Sequence, residues 1–121
     1  MNEISDIKVL ENIDFKELKQ LGLGNNNISD IKVLEKVKFE KLEVLNLGKN
    51  KISDINILEK VNFKGLKQLG LYKNNISDIK VLKKVKFEKL EKLDLSENKI
   101  NKIQNNLIIS KMESVLEDFR I

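Results

Sequence analysis

The chain of 121 residues contains no cysteine, no histidine, no proline and no tryptophan. Without cysteine it can build neither a disulfide framework nor a thiolate metal site. Without histidine it lacks the commonest metal ligand and the side chain that most often serves as a base near neutral pH. No apolar run approaches the ~18 to 20 residues that a membrane-spanning helix needs. The opening MNEISDIK has neither the basic start nor the apolar core of a signal peptide. These absences predict a soluble chain that is not marked for export, cytoplasmic if the chain is complete, with no membrane partner, no metal and no cofactor. A hydrophobic content of 40% over this length supplies one modest core and is too little for two.

What the chain does contain is a repeat. ISDIKVL occupies residues 4–10, 28–34 and 76–82, and ISDINIL occupies 52–58. A period of 24 aligns Ile4, Ile28, Ile52, Ile76 and Ile100, and the register does not slip between them. The units are 4–27, 28–51, 52–75 and 76–99, followed by a divergent repeat or cap at 100–121, within a single domain of 1–121. Each ends in LxxLxLxxNxI, as in Leu42, Leu45, Leu47, Asn50 and Ile52. The LxL step is a period-2 alternation that suits a half-buried strand. Ile28, Ile31, Leu34, Val37 and Phe39 then recur at roughly helical intervals and give the other half of the unit an apolar stripe.

This pattern resembles the leucine-rich repeat, without a break from residue 4 to residue 100. The resemblance implies an α/β fold, a right-handed solenoid with a parallel sheet on its concave side and helical or 3-10 segments on its convex side. The NxISDI junction is similar to the 22-residue repeats of bacterial internalins and of the leucine-rich regulatory subunit of protein phosphatase 1. The units here are two residues longer, with the extra length around KVKFEKL. The resemblance also implies that Asn26, Asn50, Asn74 and Asn98 form an internal ladder of hydrogen bonds to backbone groups.

The serine-aspartate pairs can be read in two ways. Ser29 and Asp30, with their counterparts at 5–6, 53–54 and 77–78, precede the convex segment, where side-chain oxygens cap unpaired helix N–H groups. The rival readings are a carboxylate ladder for cations or a nucleophilic serine. One aspartate per unit is too few oxygens for a calcium loop, and a serine without histidine has no ready base. Capping is the stronger reading, and the chain is not expected to be an enzyme.

Function is then sought where copies disagree. Residues 4–51 and 52–99 align as two copies of a 48-residue pair that differ at 13 positions. Ten of the 48 positions flank or separate the strand leucines and face outward on the concave side, and six of the 13 changes fall there. These are Gly24 against Tyr72, Asn25 against Lys73, Val44 against Lys92, Asn46 against Asp94, Gly48 against Ser96 and Lys49 against Glu97. Diversification on a fixed scaffold is the mark of a recognition surface. The predicted protein-binding residues are Tyr72, Lys73, Val44, Asn46, Lys49, Lys92, Asp94 and Glu97. Tyr72, the only tyrosine, is expected to project from a bare patch formed by Gly48, Gly70 and Ser96.

Charge argues against nucleic acid. The net charge is +4, yet the expected concave face carries six basic and six acidic side chains. That face is dipolar, +3 over the first three strands and −3 over the last two, which suits a protein partner of complementary charge. At the C-terminus, Ser110 with Glu113 predicts a capping box, and Ile108, Met112, Val115 and Phe119 fit one helix face. Leu116, Phe119 and Ile121 equally fit LxxLxL. The favoured reading is a convex helix near 108–116 running into a short fifth strand, with a helical cap as the alternative. An open edge at the first strand leaves edge-to-edge self-association as a further expectation.

Overall fold

The computed structural model describes residues 2–121. Five three-residue strands run parallel in one sheet in the order β1–β2–β3–β4–β5. They are β1 (Gln20–Gly22), β2 (Val44–Asn46), β3 (Gln68–Gly70), β4 (Lys92–Asp94) and β5 (Asp118–Arg120). In each pairing the central apolar residue meets its counterpart, so Leu21, Leu45, Leu69, Leu93 and Phe119 form one row across the sheet. The return segment of each of the first four coils is a 3-10 helix, at Lys8–Asn12, Lys32–Lys36, Asn56–Lys60 and Lys80–Lys83.

The apolar spacing explains why these segments are 3-10 rather than α. Ile28, Ile31, Leu34 and Val37 recur every third residue, which matches a helix of 3.0 residues per turn, and all four are buried. The bonds follow the same step, Leu34 N–H to the Ile31 carbonyl at 3.1 Å and Val37 N–H to the Leu34 carbonyl at 3.4 Å. Ile52, Ile55 and Leu58 repeat the arrangement one coil on. The core is therefore a set of identical columns, one apolar residue per coil. Phe15, Phe39, Phe63 and Phe87 form one such column, with successive ring centroids 5.8, 6.1 and 6.1 Å apart.

The last return is different. An α-helix, α1 (Asn106–Val115), replaces the 3-10 segment and leads into β5. Strand-to-strand spacing rises from 24 residues to 26 at this step, Lys92 pairing with Asp118. An α-helix advances less per residue than a 3-10 helix, so more residues are needed to cover the same path. The helix begins earlier than the serine-based reading has it. Ser110 lies inside the helix and is exposed, so it caps nothing. Asn101 organises the approach instead, its Oδ1 accepting from Gln104 N–H at 3.0 Å. Ile108 and Ile109 turn inward, whereas Val115 is exposed and Phe119 belongs to β5.

Candidate functional site: the outward face of the sheet

The backbone of each coil is held by its asparagine. Asn50 Nδ2 donates to the carbonyls of Leu47 (3.0 Å) and Gly48 (3.3 Å) in its own coil and of Leu23 (3.0 Å) in the coil before. Its Oδ1 accepts from Ile28 N–H at 2.9 Å. Asn74 repeats this with Leu71, Tyr72, Leu47 and Ile52, and Asn98 with Leu95, Ser96, Leu71 and Ile76. Asn26 bonds Leu23, Gly24 and Ile4. One side chain thus satisfies polar groups of two coils that the core would otherwise strand.

Of the serine-aspartate pair, the aspartate does the bonding. Asp6, Asp30, Asp54 and Asp78 accept from the backbone N–H two residues ahead, at 2.9 Å in each coil. Ser5, Ser29, Ser53 and Ser77 are exposed and, among the described residues, make no side-chain hydrogen bond. The reason is position: the N-cap residue is Ile31, so the aspartate sits one residue before it and its carboxylate closes a short turn. A convex groove of about 510 Å³ runs between the second and third 3-10 segments past Asp30 and Asp54. With those two aspartates its walls carry Glu35 and Glu59 against Lys32 and Lys60, a modest acidic excess of two charges. Among the described residues, no three side chains of the metal-binding types converge.

On the outward face of the sheet, Tyr72 does not project. Its ring lies across Gly48 of the preceding coil, where a Cβ on Gly48 would overlap Cε1 and Cζ of the ring. A Cβ on Gly70 would stand 3.7 Å from Cε1, so the ring is bordered by two residues that have no side chain. Glycine is needed at 48 for room, because its φ is not positive. Tyr72 is half-buried as a result.

Around this ring lies a shallow depression of about 270 Å³. It brings together Tyr72, Val44, Asn46, Lys92 and Asp94 from the sequence-based set, and adds Gln68, Asp118 and Arg120. Lys49, Lys73 and Glu97 lie outside it, on the turn after the strand. Gln68 is identical in both copies of the duplicated pair (Gln20 and Gln68), so a search for differences passes over it. Asp118 and Arg120 belong to a coil with no duplicate. Arg120 forks onto Asp118, Nε to Oδ1 at 3.2 Å and Nη2 to Oδ2 at 3.3 Å. That hydrogen bond, the Asp118 charge and the nearby Asp94 charge hold the guanidinium above its ordinary pKa.

Two of the candidate positions also shape the backbone. Asn46 Oδ1 accepts from Gly48 N–H at 2.9 Å, and Asp94 Oδ1 accepts from Ser96 N–H at 3.0 Å and Ser96 Oγ at 2.6 Å. The change from asparagine to aspartate preserves the turn while adding a negative charge. Lys49, Lys73 and Glu97, with Asn25, all have left-handed backbone at φ between 53° and 63°. Lysine and glutamate pay about 1 kcal/mol there relative to glycine. Lys73 Nζ reaches Glu97 Oε2 at 3.4 Å and Lys67 Nζ reaches Glu43 Oε2 at 3.7 Å, both well exposed and therefore worth little to stability.

An open parallel sheet with one asparagine rung and one short helical return per coil defines a leucine-rich-repeat solenoid. The family model described as leucine-rich repeats in two copies matches residues 16–60 and 40–84, and the single leucine-rich repeat model matches 89–114. The chain belongs to the leucine-rich repeat family. Among solved structures it is similar to the internalin InlF of Listeria monocytogenes, with 32% identity over 98% of this chain and a TM-score of 0.75. The internalin InlC2 of the same organism matches with 25% identity over 96% of this chain and a TM-score of 0.71. The chain spans 32% of the length of the first and 45% of the second. The comparison with curated proteins finds no match. Family and neighbours together make the chain a repeat module of the general protein-interaction type.

Proposed function

We propose that this chain is a non-enzymatic binding module whose protein partner docks on the outward face of the sheet, centred on Tyr72 and the depression beside it. The observation that carries this reading is the concentration of copy-to-copy change on that face. Six of the 13 differences between the duplicated pairs fall on ten outward positions, while the lysines and glutamates of KFEKLE in the second coil recur unchanged in the fourth. The left-handed positions support it. Lys49, Lys73 and Glu97 keep large charged side chains where glycine would be more stable, a cost expected where the side chain is used. Tyr72 adds a rigid aromatic surface with a polar tip, the kind of residue that anchors interfaces. The mixed charges of Lys92, Asp94, Asp118 and Arg120 set orientation and partner choice more than raw affinity.

The test is affinity capture with the wild type, Tyr72→Ala, Lys92→Glu and Asp94→Asn, and Lys36→Glu on the convex side as control. Asp94→Asn retains the acceptor for Ser96 N–H and removes only the charge. A genuine partner is captured by the wild type and the control and is lost or weakened in the sheet-face variants. If every captured protein binds all five chains alike, the sheet-face reading is wrong.

A further inference from the structure

On the convex side the two duplicated pairs of coils differ in charge. Residues 4–17 and 28–41 carry six lysines against seven acidic residues, whereas 52–65 and 76–89 carry seven lysines against four. Five of the seven convex differences between the copies change charge. One lowers it, Lys8 against Asn56. Four raise it: Asn12 against Lys60, Asp14 against Asn62, Glu17 against Gly65 and Glu35 against Lys83. The second pair is thereby four charges more positive on this side, while its outward strand positions are one charge more negative. The gain in positive charge is specific to the convex side.

In the first pair, convex lysines have partners. Lys41 Nζ stands 2.7 Å from Glu17 Oε2 and Lys36 Nζ 3.6 Å from Glu11 Oε2, each across a coil boundary. In the second pair Gly65 occupies the place of Glu17, so Lys89 lacks the partner that Lys41 has. Among the described residues, Lys60, Lys64, Lys83, Lys84, Lys86 and Lys89 form no ion pair, and all six are exposed.

The repeat also places these lysines together. A shallow depression of about 270 Å³ in the first pair brings Glu11, Asn12, Asp14 and Lys16 of one coil beside Lys36 and Lys38 of the next. The same positions 48 residues on are Glu59, Lys60, Asn62, Lys64, Lys84 and Lys86. Three lysines and two acids have become four lysines and one acid. Lys89 extends the strip, and Glu88 is the acidic residue beside it.

We propose that this convex strip of the third and fourth coils binds a linear polyanion with closely spaced phosphate or sulfate groups, lying across the boundary between the two coils. Lysine carries a compact charge on a flexible stem, which suits a ligand of diffuse charge, and the one arginine of the chain, Arg120, is on the sheet face. Phe63 is buried and Phe87 half-buried, so no exposed aromatic ring is there to stack nucleic-acid bases. The exposed large hydrophobic side chains, Ile4, Val9, Ile13, Ile103, Leu107 and Val115, all lie outside these two coils, so the strip has nothing to insert into a bilayer. The strip is on the opposite side of the coils from Tyr72, and it stands or falls independently of the partner on the sheet face.

Isothermal titration calorimetry of the 121-residue chain with size-defined polyphosphate and with a heparin oligosaccharide tests the proposal. Affinity should fall roughly 100-fold between about 50 and 200 mM salt, as the release of counterions from about five contacts requires. Lys84→Gln with Lys86→Gln should weaken binding roughly tenfold, and Lys36→Gln with Lys38→Gln, the same places in the first pair, less than about twofold. Gly65→Glu with Lys83→Glu restores the first pair's acidic residues and should also weaken binding roughly tenfold. A Cβ at 65 meets nothing closer than 3.4 Å, and circular dichroism of each variant confirms the fold. Tighter binding of either polyanion supports the proposal and names the source of the anionic groups. No binding at low salt, equal weakening by the two lysine-to-glutamine pairs, or tighter binding of duplex DNA, polyglutamate or phosphatidylserine vesicles would overturn it.

Discussion

The ring of Tyr72 occupies the space where a side chain on Gly48 would stand. The two residues are 24 positions apart and belong to successive coils, so the pose of the one aromatic residue on this face depends on a glycine in the coil before. Gly48→Ala leaves the backbone unstrained, since φ at 48 is not positive, and the ring must swing outward. Because the ring is half-exposed and can be turned outward about its Cα–Cβ bond, the expected loss of stability is only about 1 kcal/mol. The ring environment changes more than the stability does. Tyrosine fluorescence and the ring proton shifts of Tyr72 report the movement, and thermal unfolding reports the modest cost.

The asparagine column should show a graded cost along the chain. Asn74→Ala leaves Ile52 N–H without its acceptor inside the core and takes one of two asparagine donors from each of the Leu47 and Leu71 carbonyls, and should cost about 3 kcal/mol. Asn26→Ala acts at the first coil, where Ile4 is partly exposed and no earlier coil is bonded, so about half that loss is expected. Urea unfolding of the two variants gives the comparison. Equal losses would mean that burial does not set the value of a rung.

The aspartate and serine of the repeated pair should separate cleanly. Asp30→Ala removes the acceptor of Lys32 N–H and should cost about 1 kcal/mol, as loss of a helix cap does. Ser29→Ala should fall within about 0.5 kcal/mol of wild type, the range of ordinary surface substitutions. Chemical denaturation of both variants decides between a capping pair and a capping aspartate.

The repeat itself made the coils readable. A solenoid coil can stack only if every copy presents the same apolar columns, so Ile28, Ile31, Leu34 and Val37 recur in recognisable form. Their three-residue step already contained the choice of a 3-10 return. What escaped reading depended on contacts across coils or on local competition. Nothing within the segment GLYKN says that the ring of Tyr72 will fold back onto Gly48. Ser110 and Glu113 have the spacing of a capping box, but Ile108 and Ile109 pack into the core and carry the helix start back to Asn106. Asn46 and Asp94 look like simple surface variation, and only the structure shows both holding the same turn. The outward positions of Asp118 and Arg120 followed from the LxxLxL reading, whereas their place beside Tyr72 required the 26-residue step into β5.

The phenylalanine column has a geometric consequence. Phe15, Phe39, Phe63 and Phe87 are equivalent points in successive coils, so their centroid separations of 5.8 to 6.1 Å measure the advance per coil at that position. Strands joined by hydrogen bonds advance only ~4.8 Å. One side of the stack therefore grows faster than the other, and the chain must bend into an arc with the strands on its inner radius. Each further coil of the same kind would extend the enclosure of whatever lies against the strands.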